Sequence, residues 1–328
     1  MLDWQEFLNQ QKLDDGPLPD CALTDLSHIG LIQVSGEDAR DFLQGQFTND
    51  INRVDATHSQ LSAYCGPKGR MLASFRILER NDALLLMLPA ERIAAIRKRL
   101  HMFVLRAKVK IEDVSDRLVR IELSGDCVPD LLPIDPPNED NGVHMFDGYT
   151  VIRIPGDRPR FQVLGESGVM QSLWEEAAAT TRPVSSIAWA LLDIRAGIPA
   201  VCEATVECFV PQMTNLHVIE GVSFTKGCYT GQEIVARMHY LGRLKRRMYR
   251  VRIDSAQQPV PGKALYSPHS SSDQGTGRIV SSAPSPDGGH EALAVIEIAA
   301  AETGEVYLGA ADGPRLTFLD LPYTVASG

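Results

Sequence analysis

Three things are scarce in this chain of 328 residues, and each scarcity excludes a class of protein. No apolar run approaches the roughly 20 residues that cross a bilayer: the longest, Ala83 to Leu88, stops at Pro89 and reads as a strand. A secretory leader is not expected either, because the first residues include Asp3, Gln5, Glu6, Gln10 and Gln11 where a basic start and an apolar centre would stand. A cytoplasmic location with no membrane partner is the expectation. Cysteine is sparse, with Cys21, Cys65, Cys127, Cys202, Cys208 and Cys228 scattered and none in a C-x2-C pair. That is neither a disulfide framework nor a zinc-site pattern, so reduced thiols and no metal site are expected. Positive charge is in deficit, the net charge being -10, which argues against a general nucleic-acid coat.

What is present is enough apolar sequence, 44%, for two or three cores. A short apolar strand, a glycine with small or acidic neighbours, and an amphipathic helix recur three times. The first copy runs Leu31 to Val34, then Ser35-Gly36-Glu37-Asp38 with capping-box spacing, then Ala39, Phe42, Leu43 and Phe47 on one face. The second runs from Leu118 to Leu132 through Ser124-Gly125-Asp126. The third runs from Phe161 to Ala178 through Gly165-Glu166-Ser167, with Val169, Leu173 and Ala177 spaced as a helical stripe. Met71 to Leu78 and Ala83 to Leu88 flank Arg80-Asn81-Asp82 as a hairpin. A helix with Ile93, Ile96, Leu100 and Phe103 on one side follows, and Pro133 to Asn141 reads as a surface loop. Beyond residue 243, short β-rich runs (Met248 to Ile253, Gly277 to Ser281, Leu293 to Ile298, Val306 to Leu308, Leu316 to Leu319) alternate with turn-rich stretches such as Pro268 to Gly277. The fold class expected is α+β, with mainly antiparallel sheets and a small C-terminal β-barrel. The expected boundaries are 1–115, 116–242 and 243–328, the middle part carrying the segment described next.

That segment is Phe224-Thr225-Lys226-Gly227-Cys228-Tyr229-Thr230-Gly231-Gln232-Glu233-Ile234-Val235-Ala236-Arg237. Thr230 and Glu233 have capping-box spacing, and Ile234, Met238 and Leu241 form a stripe that Gly242 can end, so the loop is expected to open a helix. Cys228 would then sit near the positive end of the helix dipole and close to Lys226, both of which favour a thiolate. Two readings of Cys228 stand side by side: a reactive sulfur, or an inert one packed in a loop kept for its shape. Two readings also fit the acid-free stretch between Glu233 and Asp254, which holds Arg237, Arg243, Lys245, Arg246, Arg247, Arg250 and Arg252. It is a solvated helix end and edge strand, or a docking surface for RNA or an acidic partner.

Lys226-Gly227-Cys228-Tyr229-Thr230-Gly231-Gln232-Glu233 resembles the signature of the YgfZ family, bacterial relatives of the aminomethyltransferase (T-protein) of glycine cleavage. The resemblance extends to Phe42-Leu43-Gln44-Gly45-Gln46 with Thr48-Asn49-Asp50, to Pro67-Lys68-Gly69-Arg70, to Ala196-Gly197-Ile198-Pro199 and to Pro211-Gln212-Met213-Thr214-Asn215-Leu216. It implies a T-protein-like arrangement around a central folate site, with tetrahydrofolate or a derivative as ligand. It implies a role in maintaining iron-sulfur proteins, including enzymes that modify tRNA, with Cys228 as the candidate catalytic residue.

Folate-binding positions carried over by resemblance are Trp189, whose indole suits stacking on a pterin, Ile29, where some relatives have an aromatic, and Arg195, where relatives have an acid. Glu203 or Glu207 could replace that acid. Trp189 also reads as a core residue, since Ile187, Leu191 and Ile194 show helical spacing. Where aminomethyltransferases carry a carboxylate, this chain has Ala73-Ser74, which argues against aminomethyl transfer and leaves enzymatic activity open. The alternatives are a folate-dependent one-carbon transferase on another substrate, and an RNA-binding module using Arg243 to Arg252, with direct tRNA contact as its consequence.

Overall fold

The computed structural model describes residues 3–14, 16, 18–132, 134–270 and 275–325. Pro133 and residues 271–274, which fall within two of the expected loops, lie outside the described residues. The chain folds as two units: residues 1–42, 51–60 and 76–189 form one, and residues 43–50, 61–75 and 190–328 form the other.

In the first unit the repeated strand-glycine-helix pattern is real. Strand Ile29–Ser35 leads through Gly36 to helix Ala39–Gln44, and strand Val119–Ser124 leads through Gly125 to helix Val128–Leu131. Both glycines have nearly the same positive φ, 115° and 116°. A Cβ on Gly36 would lie 2.1 Å from the Lys108 carbonyl oxygen, and one on Gly125 would lie 2.0 Å from that of Asp20, so only glycine fits either turn. The expected capping box at the first copy does not form: the Asp38 carboxylate accepts instead from the Lys108 backbone N–H, 2.7 Å away. The helix also ends at Gln44, so Phe47 lies beyond it. In the third copy, strand Arg160–Gly165 precedes helix Ser167–Ala178, which buries Met170, Leu173, Trp174 and Ala177.

Six strands of this unit form a sheet in the order Arg182–Val184, Ala22–Asp25, Val119–Ser124, Arg160–Gly165, Tyr149–Arg153, Val143–Phe146. All neighbours are antiparallel except the first pair. Trp4, Phe7, Leu23, Ile121, Val163 and Trp174 lie in its core. The hairpin forms as expected, Arg76–Arg80 pairing with Ala83 to Met87. Its turn uses Asn81 and Asp82 at φ 51° and 59°, the left-handed pair that a two-residue hairpin requires. The helix after it, Ile93–Val104, buries Ile93, Ile96 and Leu100, but Phe103 is exposed because the chain turns away at Leu105. Cys21 and Cys127 are disulfide-bonded with Cα atoms 6.1 Å apart, which corrects the expectation that all six thiols are free.

In the second unit the C-terminal residues form a six-stranded antiparallel sheet curled into a half-barrel. Its order is Tyr307–Leu308, Ala264–Tyr266, Gly277–Pro284, His290–Glu297, Arg246–Ile253, Leu316–Leu319. The short strand Ala264–Tyr266 was not expected, and Ile298 begins a helix rather than ending a strand. A second core under this sheet joins Met248, Val280, Leu293 and Val295 to Cys65, Met71, Leu191, Phe209, Leu216 and Val235. Among the described residues no helix is long and apolar enough to cross a membrane.

Candidate functional site

The segment around Cys228 is built from the bottom up by alternation. Lys226 and Tyr229 point inward and are buried, whereas Gly227 and Cys228 between and beside them face solvent. A lysine ammonium has three protons, and here each meets a backbone carbonyl: Gln44 at 2.6 Å, Phe47 at 2.6 Å and Asn49 at 3.0 Å. The ammonium also lies 5.2 Å from the centre of the Tyr229 ring. Burial pushes Lys226 down to about 8, with the Asp50 carboxylate opposing the shift. Lys226 is therefore a cross-link between the segment 44–49 and the loop rather than a partner held ready for the Cys228 sulfur.

Two motifs far apart in the chain thus become one polar cluster. The Thr48 hydroxyl donates to the Gly221 carbonyl at 2.8 Å and accepts from the Ala63 N–H at 2.9 Å. Asn49 donates through Nδ2 to the carbonyls of Leu61 and Glu220. The Ser223 N–H reaches the Thr48 carbonyl at 3.0 Å. Buried polar groups that would each cost free energy if left alone satisfy one another, which fixes the loop's entry.

The loop's exit is fixed by close backbone approach. The helix runs Gln232–Tyr240 with Gly231 as its N-cap, at φ 84°. A Cβ on Gly231 would come within 2.5 Å of the Gly66 carbonyl oxygen and 3.0 Å of Gly69 Cα, so the Pro67-Lys68-Gly69-Arg70 turn packs against the loop with nothing between. This overturns the expected capping box of Thr230 and Glu233: no side chain caps the helix, because a left-handed glycine occupies the N-cap position. Cys228 lies correspondingly farther from the helix start than the spacing suggested, where the dipole contributes little. The apolar stripe differs too, since Val235 is the buried residue of the helix and Leu241 is 85% exposed. Gln212 of the Pro211 to Leu216 motif donates to the Val235 carbonyl at 2.6 Å, and Asn215 donates to that of Met248 at 2.9 Å.

The other expected site residues fall in two places. In the first unit, Trp189 is half-buried with its indole N–H donated to the Glu122 carboxylate and its ring edge against His28, centroids 5.0 Å apart. His28 immediately precedes Ile29, the half-buried first residue of its strand, so these two expected positions share one neighbourhood. Glu122 is buried and also accepts from Arg160 at 2.8 Å and from Gln162 at 3.2 Å. Sequence reasoning missed Glu122 and Arg160; the available signal was the alternation of polar residues Arg120, Glu122 and Ser124 along one strand and of Arg160 and Gln162 along its neighbour. On the helix Ser186–Ala196, Leu191 and Ile194 are buried, whereas Ile187 is 49% exposed.

In the second unit, Arg195 donates twice to Glu291 Oε1, at 3.2 and 2.7 Å, while Arg250 donates twice to Oε2, at 3.0 and 2.6 Å. Arg195 is thereby committed to a carboxylate of the C-terminal sheet. Glu291 titrates lower than an ordinary glutamate: burial opposes the shift, and the two guanidinium groups outweigh it. At the expected counterpart of the transferase carboxylate, the Ser74 hydroxyl donates to the Pro199 carbonyl and accepts from the Val201 N–H, at 3.2 and 3.0 Å. It secures the Ala196-Gly197-Ile198-Pro199 segment. The basic run is likewise divided: Arg250 is engaged with Glu291, Arg252 pairs with Asp254 at 3.3 Å, and Arg247 donates to the Tyr249 hydroxyl at 3.0 Å.

Residues 19–133 match the family model described as the GCVT N-terminal domain. A curated protein of Colwellia psychrerythraea called tRNA-modifying protein YgfZ is 36% identical over 235 residues, 71% of this chain and 72% of that one. A protein of the same name from Photobacterium profundum is 33% identical and covers 94% of this chain and 93% of its own length. One from Yersinia pestis is 30% identical, covering 86% of each. Among solved structures, the glycine cleavage system aminomethyltransferase T of Bartonella henselae superposes with a TM-score of 0.73 at 17% identity, over 98% of this chain and 89% of that one. That likeness establishes the T-protein fold.

Proposed function

The chain belongs to the YgfZ family, and from that premise we propose that it is a folate-binding accessory protein of tRNA modification that supports iron-sulfur enzymes. The observation that carries this reading is the presentation of Cys228: an exposed sulfur on a loop whose two buried neighbours, Lys226 and Tyr229, are anchored from below. Such a loop holds a thiol rigidly towards solvent, where it can meet a partner protein or a bound ligand without reorganisation. Tetrahydrofolate or a derivative is the proposed cofactor, with Trp189 supplying a ring to stack on, and the iron-sulfur enzymes that modify tRNA are the proposed partners. The indole N–H bound to Glu122 fixes the plane of the Trp189 ring, which suits a stacking platform.

Calorimetric titration with tetrahydrofolate tests the ligand: saturable heat is expected, and its loss in Trp189→Ala with the fold intact assigns the residue. No heat at high ligand concentration removes the folate half of the reading. Cys228→Ala is expected to lose tRNA methylthiolation in cells while remaining folded, and full activity of that variant removes the thiol half. A one-carbon transferase is disfavoured by Ala73-Ser74 at the position where the resemblance places the transferase carboxylate, the Ser74 hydroxyl being taken up by Pro199 and Val201.

A further inference from the structure

The second unit contains a hollow of about 360 Å³ that none of the features above uses. Three arginines, Arg70, Arg246 and Arg278, line it, together with Glu207, Cys208 and an apolar floor of Phe209, Met213 and Val295. Its ionised side chains sum to a net positive charge in a chain that is otherwise strongly acidic. We propose that this hollow binds a phosphate monoester carried on a flat or apolar group, the chemistry of a nucleoside monophosphate.

Two of the guanidinium groups, those of Arg70 and Arg278, are aimed without being neutralised. Arg70 donates through Nη1 to the carbonyls of Glu207 and Cys208, at 3.0 and 2.7 Å, and Arg278 donates through Nη1 to that of Gly262 at 2.9 Å. Backbone carbonyls orient these side chains but carry no net charge. Among the described residues no carboxylate forms an ion pair with Arg70 or Arg278, so each keeps a full charge and further N–H donors for a ligand. Planar guanidinium forks match the oxygens of a phosphate, and preoriented ones lose little freedom on binding it.

The walls are equally fixed. The Met71 N–H donates to the Phe209 carbonyl at 2.8 Å and its carbonyl accepts from the Glu207 N–H at 2.9 Å, which locks one side of the hollow to the strand behind Arg70. On the other side Arg278 stands opposite Val295 in the half-barrel. Phe209 and Val295 are almost fully buried, giving an apolar surface beneath the charges. The volume falls within the range of small-molecule sites, and charge above an apolar floor suits an ester with a ring better than inorganic phosphate.

A free nucleotide and the phosphorylated end of an RNA present the same chemistry, so both enter the test. Calorimetry with the full chain would compare AMP, adenosine, and a short RNA with and without a 5′-phosphate. AMP or the phosphorylated RNA is expected to bind at least tenfold more tightly than its dephosphorylated form, and which of the two binds identifies the source. Arg278→Gln, at an exposed position, should weaken binding roughly tenfold, the loss of one charge-assisted contact. Glu207→Gln should strengthen it, because it removes the carboxylate that repels the ligand. Equal binding of phosphorylated and dephosphorylated probes, no binding of either phosphorylated probe, or an unchanged affinity in Arg278→Gln would each overturn the proposal.

Discussion

Lys226 and Glu122 are both charges withdrawn from water, yet the chain accommodates them in opposite ways. Glu122, in the first unit, is matched by a full opposite charge on Arg160 and by two further N–H donors from Gln162 and Trp189. Lys226, in the second, meets the partial charges of three carbonyl oxygens and the face of the Tyr229 ring, with Asp50 contributing from a distance. An ion pair ties two strands that are already neighbours in a sheet. Carbonyl coordination gathers backbone from a remote part of the sequence, so Lys226 does for the Cys228 loop what a bound cation would do elsewhere. The first arrangement steadies a tryptophan; the second positions a sulfur.

The contrast can be broken most severely at Glu122. Glu122→Leu removes a buried carboxylate that accepts from Arg160, Gln162 and Trp189 and is expected to cost about 3–5 kcal/mol in urea denaturation. A double change with Arg160→Met should recover a large part of that loss, whereas no recovery would mean that the pair is not the source of the effect. Next in size is Lys226→Met, which strands carbonyls but leaves no charge behind, for about 2–3 kcal/mol. It should also raise the proteolytic susceptibility of the loop around Cys228, an effect that Glu122→Leu, if confined to the first unit, does not produce.

The smallest effect sharpens the comparison through pH. Between about 8 and the ordinary lysine value of 10.5, the folded chain holds Lys226 less protonated than the unfolded chain does. The unfolded state then binds more protons, so this residue's contribution to stability rises with pH across that window. Subtracting the stability of Lys226→Met from that of the parent at pH 7.5, 8.5 and 9.5 should give an increasing difference. A flat or falling difference would show that the three carbonyls hold the proton against burial.

Much of this arrangement was legible in the chain because it depends on local physics. The hairpin around Asn81 and Asp82, the turns at Gly36 and Gly125 and five of the six strands of the half-barrel follow from turn chemistry and from the spacing of apolar residues. The helix after Cys228 was legible as a helix, but its cap was not. Thr230 and Glu233 have the right spacing, and yet Gly231 takes the N-cap, because the turn at Gly66 and Gly69 lies against it and leaves no room for a side chain. Spacing reports what a segment can do alone; it carries no information about a carbonyl arriving from 165 positions earlier in the chain.

The sequence by itself determined most of the elements, the mainly antiparallel class of the sheets and the identity of the loop that displays Cys228. Only the tertiary structure decided which charges are spent. Lys226 reads as a neighbour of a thiol and becomes a tie between backbone segments; Arg195 reads as a ligand group and becomes half of a clasp on Glu291. The reason is that a charged side chain is long and its energy depends on what surrounds its far end, so its partner is chosen by whichever carbonyl or carboxylate the folded chain brings within about 3 Å.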